Sequence, residues 1–164
     1  MSKALERVKN KIFNKNNLLE KLEIWRGANK KIVFTNGCFD LIHLGHIEVL
    51  ARSADLGDIL IIGVNTDSSI KELKGNNRPI IEENSRAQQL ASLEFVDAVI
   101  LFNEQTPLEL IKVIKPNVIT KGGDYNSEEV VGNEIAVKNE GEVIIIPLTQ
   151  GYSTTSILDK IKND

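Results

Sequence analysis

Residues 31–46 read Lys-Ile-Val-Phe-Thr-Asn-Gly-Cys-Phe-Asp-Leu-Ile-His-Leu-Gly-His. The stretch opens as a strand-length apolar run over Lys31 to Asn36, turns at Gly37 and enters a helical pattern at about His43. Four further runs of the same kind follow, Ile59 to Val64, Ala98 to Phe102, Asn117 to Lys121 and Glu142 to Pro147. Continuous apolar runs, unlike alternating ones, suit strands buried on both faces of a parallel sheet. The spacing predicts helices between them. The first spans about His43 to Leu56, with Ile47, Leu50, Ala51 and Ala54 on one face and Gly57 at the C-terminal cap position. A second covers Glu82 to Glu94, and a third opens at Thr106-Pro107, with Thr as N-cap and Pro at the first helical position, and ends before Pro116. Ser127 to Asn139 is helical with an interruption at Gly132, and Ser153 to Ser156 caps a last helix through Ile157 and Ile161. This order predicts an α/β, three-layer Rossmann-like fold with a five-stranded parallel sheet. In the expected strand order 3-2-1-4-5, the first and fourth strands flank the point where the order reverses, and ligands bind beyond the carboxyl ends there.

Composition limits what such a domain does. At 164 residues, with 41% hydrophobic and 26% charged, the chain suits one globular domain with its own core. A net charge of -3 excludes the overall basic excess of a generic nucleic-acid binder. The longest apolar stretches are strand-length and the N-terminus lacks a signal-peptide pattern, so the expectation is a cytoplasmic protein with no membrane partner. The single cysteine, Cys38, excludes an intrachain disulfide framework and a zinc site of several thiolates. Charge is uneven: residues 1–31 carry nine Lys/Arg against three Asp/Glu. Leu5, Val8 and Ile12, then Leu18, Leu19, Leu22 and Trp25, recur at helical spacing, so residues 1–30 read as an N-terminal amphipathic helical segment packed on a domain of residues 31–164. Its basic face is read as solvated surface, with membrane or RNA contact as the alternative.

Polar clusters stand at the predicted strand ends. Asn36 to His46 follows the first strand, Lys121-Gly122-Gly123-Asp124-Tyr125 the fourth, and Gly151-Tyr152-Ser153-Thr154-Thr155 the fifth. Neither G-x-G-x-x-G nor a Walker phosphate loop is present, which disfavours ordinary dinucleotide enzymes and P-loop NTPases. What remains is His43-x-Gly45-His46 at a helix start. Residues three apart share a helix face, the free N–H groups of a first turn favour an anion, and Gly45 leaves the intervening surface open. Imidazoles that donate hydrogen bonds stabilise charge growing on phosphoryl oxygens. Two alternatives remain: a metal pair completed by Cys38 or Asp40, and a helix cap with no chemistry.

These residues resemble the signature of the nucleotidyltransferase superfamily whose HxGH motif binds a nucleoside triphosphate, with Ser153-Thr154-Thr155 as its partner motif. The resemblance covers nearly the whole chain: Thr35 to Asp40, Asn65-Thr66-Asp67, Leu73-Lys74-Gly75 with Arg78-Pro79-Ile80, Arg86, Val96-Asp97, Thr106-Pro107 and Lys121 to Tyr125. In these the chain is similar to the adenylyltransferase half of the heptose kinase/adenylyltransferases, and to stand-alone D-glycero-β-D-manno-heptose 1-phosphate adenylyltransferases. The resemblance implies transfer of AMP from ATP to that sugar 1-phosphate, giving ADP-heptose and pyrophosphate in lipopolysaccharide synthesis. It implies catalysis by His43, His46 and Lys74. Nucleotide binding falls to Asn36, Gly37, Cys38, Phe39, Gly45, Lys121, Gly122, Asp124, Ser153, Thr154 and Thr155. Asp40, Arg78 and Arg86 are the implied sugar-phosphate contacts, with Asp40 alternatively an Asx turn and Arg86 a surface residue. Mg²⁺ is expected to arrive with ATP and no protein-built metal site is expected. A homodimer is expected, with Leu90 to Phe95 either interface or core, and a separate sugar kinase is expected to supply the acceptor. The rival within the superfamily is a cytidylyltransferase using CTP and glycerol phosphate or a similar alcohol phosphate. Its members carry arginines where this chain has Leu148 and Glu94. A non-catalytic nucleotide-binding module and a nicotinamide-dependent oxidoreductase are the rivals from other classes.

Overall fold

A computed structural model describes residues 2–149 and 151–163. Its strands are β1 (Ile12–Phe13), β2 (Ile32–Gly37), β3 (Ile59–Asn65), β4 (Ala98–Phe102), β5 (Val118–Gly122) and β6 (Glu142–Ile146). They form one parallel sheet in the order β1-β4-β3-β2-β5-β6. The helices are α1 (Lys3–Lys9), α2 (Lys15–Gly27), α3 (Leu44–Ala54), α4 (Asp67–Lys74), α5 (Glu83–Ala91), α6 (Leu108–Ile114), α7 (Asn133–Lys138) and α8 (Thr154–Asn163).

The sheet has six strands where the sequence predicts five. The five expected strands keep their expected mutual order, and β1 adds itself outside β4. Two residues are too few to show a strand period, and Ile12 also fits the helical spacing around it. Pairing decides: Ile12 lies against Val99 and Phe13 against Ile100, and the Val99 amide donates to the Lys11 carbonyl at 2.8 Å. The N-terminal segment is therefore helix-strand-helix and part of the sheet.

Each continuous apolar run separates into two faces. Ile32, Phe34, Ile59 and Ile61 point to a core shared with Leu18, Leu22 and Trp25 of α2 and Ile111 and Ile114 of α6. Val33, Leu60, Ile62 and Val64 point the other way, onto Leu50 of α3 and Ala87 and Leu90 of α5. Leu90 is fully buried in this second core, and Leu93 and Phe95 pack against it. The apolar residues of the segment 90–95 thus pack into this core, while Ser92 and Glu94 are exposed.

Helix starts differ from expectation at two places. Pro107, not Thr106, is the N-cap of α6, without a side-chain cap. Helix α4 is not predicted at all: its sequence is polar and only Ser69 and Ile70 are buried, but Thr66 caps it by accepting from the Ser69 amide at 3.3 Å.

Candidate active site

The carboxyl ends of β2, β3 and β5 and the first turns of α3 and α8 enclose a cleft of about 610 Å³. Its position follows from the topology, since β2 lies between β3 and β5 and the connection from β2 runs to β3 on one side, while the one from β4 crosses back to β5 on the other. At the end of β2 the backbone turns sharply. Gly37 has no Cβ, and one placed there would stand 3.1 Å from the Phe39 ring. Phe39 takes a left-handed φ of 48° and is buried. Its ring meets the His46 imidazole edge-on at 5.5 Å between centroids.

His43 is the N-cap of α3, and its carbonyl accepts from the His46 amide at 2.9 Å. The two imidazoles are stacked, 3.9 Å between centroids and 29° between planes. Both Nδ1 atoms are buried without a hydrogen-bond partner. Burial lowers the pKa of His43. His46 is pushed down to about 4, first by burial and then by the neighbouring His43 and Lys74 charges. Near neutral pH the pair is therefore uncharged, able to donate hydrogen bonds without repelling each other. Gly45 lines the cleft and also makes room for protein. The space a Cβ would fill is occupied by the His43 ring at 3.1 Å and by Tyr152 at 3.5 Å, so the missing side chain seats protein.

Two lysines complete the cationic side. Lys74 stands at the end of α4, and Lys121 near the end of β5. Burial lowers the Lys121 pKa, with Cys38 acting weakly the other way. Opposite α3, Ser153 and Ser156 cap the start of α8 reciprocally: the Ser156 amide donates to Ser153 Oγ at 3.0 Å and the Ser153 amide to Ser156 Oγ at 3.3 Å. Ser153 and Thr154 line the cleft. Two helix N-termini thus face the same space, an arrangement of fixed dipoles and amides of the kind that suits an anion.

Of the residues expected at the site, Asn36, Gly37, Cys38, Phe39, His43, Gly45, His46, Lys74, Lys121, Gly122, Ser153 and Thr154 line the cleft. Asp124 and Thr155 are exposed and stand outside that lining. Asp40, Arg78 and Arg86 are also outside it. Asp40 is buried and its carboxylate accepts from Arg78 Nε at 2.5 Å and from the Ile80 and Ile81 amides at 2.8 and 2.9 Å. Arg86 is fully buried, and its donors are spent on the Ile81, Cys38 and Asn65 carbonyls and on Asp67. Asp40 and Arg86 are therefore engaged by protein groups within the fold, whereas Arg78 is partly exposed and bonds Asp40 through Nε. Gln105, Thr106 and Pro107 line the cleft with no role assigned to them from the sequence, as does Asn65, and Tyr152 joins them from the cluster after the last strand. The carboxyl-end rule applied to β3 and β4 is the signal that finds the first three and Asn65.

Among the described residues the cleft lining contains no Asp or Glu. It therefore offers no oxygen-rich cage for a resident hard cation such as Mg²⁺.

The model of the family described as "Cytidylyltransferase-like" matches residues 34–160, most of the chain and every element of this cleft. The chain belongs to the cytidylyltransferase-like family. Individual relatives of this cytidylyltransferase-like chain sharpen the relation. It is 44% identical over 153 residues to "Bifunctional protein HldE" of Bradyrhizobium sp. (strain ORS 278), covering 93% of this chain and 31% of that protein. It is 53% identical over 134 residues to the protein of the same name from a Nitratiruptor species, covering 82% and 28%. The chain thus spans about a third of the length of the curated relatives it matches. A solved structure, that of the lipopolysaccharide core biosynthesis protein from Thermoplasma volcanium GSS1, superposes with a TM-score of 0.60 at 32% identity, over 76% of this chain and 99% of that one.

Proposed function

We propose that this chain transfers AMP from ATP to D-glycero-β-D-manno-heptose 1-phosphate, releasing pyrophosphate and forming ADP-heptose. The stacked, uncharged His43–His46 pair at the first turn of α3 carries the reading, in a cleft closed on its other side by the start of α8. The similarity to HldE proteins supports the sugar acceptor, and the solved neighbour's description as a lipopolysaccharide core biosynthesis protein agrees with it.

The chemistry needs no covalent intermediate and no general base, since a sugar phosphate is already ionised at neutral pH. The task is to bring two anions into line at the α-phosphorus. His43 and His46 donate to the phosphoryl oxygens on which charge grows. Lys74 offsets the charge brought together by the two substrates. Ser153, Thr154 and the α8 amides receive the departing pyrophosphate, and Lys121 and Gly122 lie beside the nucleoside. Mg²⁺ enters as part of the nucleotide substrate, bound to its phosphates. A sugar kinase activity supplies the acceptor.

Pyrophosphate release tests the reading when ATP, CTP, GTP and UTP are each combined with heptose 1-phosphate, mannose 1-phosphate and glycerol phosphate. Turnover is expected with ATP and the heptose 1-phosphate. Turnover confined to CTP with glycerol phosphate overturns it in favour of the cytidylyl reaction.

A further inference from the structure

Asp40 and Arg86 carry opposite charges, both are buried, and neither lines the cleft. Their contacts converge on one residue. The Ile81 amide donates to Asp40 Oδ1 at 2.9 Å, and the Ile81 carbonyl accepts from Arg86 Nε at 2.9 Å. Asp40 also holds the Ile80 amide at 2.8 Å and the Arg78 guanidinium at 2.5 Å. Arg86 closes the circuit by donating to the Cys38 carbonyl at 2.5 Å, two residues before Asp40.

The gripped segment leads back to the cleft. Lys74 ends α4; Gly75 follows with a φ of +90°, and the Arg78 amide returns to the Gly75 carbonyl at 3.1 Å. Gly75, Asn76 and Asn77 are exposed. Four residues beyond Lys74, Arg78 meets the first of the anchors on the β2–α3 loop. That loop also carries His43, and His46 follows in the first turn of α3.

We propose that Asp40 is a positioning residue: by anchoring Arg78, Ile80 and Ile81 to the β2–α3 loop it sets Lys74 beside His46. The inference rests on the proposed function only for what Lys74 does; that Lys74 and His46 line the same cleft is a matter of geometry. A carboxylate buried for stability alone has no reason to act through Lys74. The two cases separate in a double-mutant cycle.

The full chain is compared with Asp40→Asn, Lys74→Gln and the double variant, by NMR titration of the His46 ring without nucleotide and by pyrophosphate release. The Lys74 charge helps hold His46 down, so its titration midpoint is expected to move up in Lys74→Gln. It should also move up in Asp40→Asn, and no further in the double variant than in Lys74→Gln alone. The rate should drop about tenfold or more in each single variant, with the double variant no slower than Lys74→Gln. An unmoved His46 midpoint in Asp40→Asn, or losses that multiply in the double variant, overturns the proposal. If Asp40→Asn fails to fold, as judged by circular dichroism, Arg78→Gln replaces it in the same cycle. The expected changes there are smaller and in the same directions, and an unmoved midpoint again overturns the proposal. If the wild-type chain transfers no nucleotide, the proposed function falls, while the titration still decides whether Asp40 places Lys74.

Discussion

His46 is held in its neutral form first by burial, then by the stacked His43 imidazole and the Lys74 ammonium, with a hydrogen bond to the Leu41 backbone acting the other way. Its pKa of about 4 lies below the ordinary 6.5, so on acidification the unfolded chain takes up a proton before the folded one does. Stability is expected to fall as pH drops from about 6.5 to about 4. In chemical denaturation at stepped pH, His46→Ala should flatten that slope. The same variant is expected to reduce kcat on the order of 10²-fold, the scale of losing one preorganised donor. Cys38 invites the opposite expectation. Its thiol makes only a long contact of 4.0 Å to Asn65, while its carbonyl takes the Arg86 hydrogen bond. Cys38→Ser should therefore keep most of the activity in the pyrophosphate assay, because the substitution leaves the backbone contact in place.

Glycines decide several of the elements around the cleft. Gly45→Ala would place a methyl 3.1 Å from the His43 ring, in a position flexible neighbours cannot vacate without moving the histidine. A fall in kcat of about tenfold is expected, because the His43 ring must give by a few tenths of an ångström, less than the misplacement of about 1 Å that costs roughly 10²-fold, with the far-ultraviolet dichroism unchanged. Gly132 stands at the break in the predicted Ser127 to Asn139 helix, as the N-cap of α7, for a comparable reason. Its φ is +93°, and an added Cβ would meet Ile111 Cδ1 at 2.6 Å. In the sequence the interruption is visible at Gly132, but the neighbour that requires it is not. The histidines, Lys121 and the Ser153-Thr154 pair could be placed at the cleft because their chemistry and their position at predicted strand ends agree, whereas Lys74, at the end of a helix, came from the resemblance alone. Asp40 and Arg86 were not legible, since a carboxylate facing a ligand and one gripping a backbone have the same letter. Only their burial and partners distinguish the two. Helix α4 escaped because its stability comes from a cap and two buried side chains, with little apolar period to read.

At the scale of the whole molecule the N-terminal segment is integral to the core. Leu18 and Leu22 are fully buried against Phe34 and Ile61 of the central strands. Leu22→Ala is expected to cost about 2–5 kcal/mol in urea unfolding, the range for a large core residue cut to a methyl. Among the described residues no helix is long and apolar enough to cross a membrane. The net charge of -3 is compatible with a polyanion-binding cleft because the lysines and helix starts act locally. The two-residue β1 has a further consequence. It covers the outer edge of β4, whose sequence Ala-Val-Ile-Leu-Phe combines high strand propensity with no charge. Left open, such an edge is a template on which other chains can stack. By ending after Phe13 and continuing into the polar start of α2, β1 shields that template and presents too little strand of its own to become another. The segment that adds least to the sheet's area thus covers Val99 and Ile100, the middle of the strand whose sequence most invites such stacking.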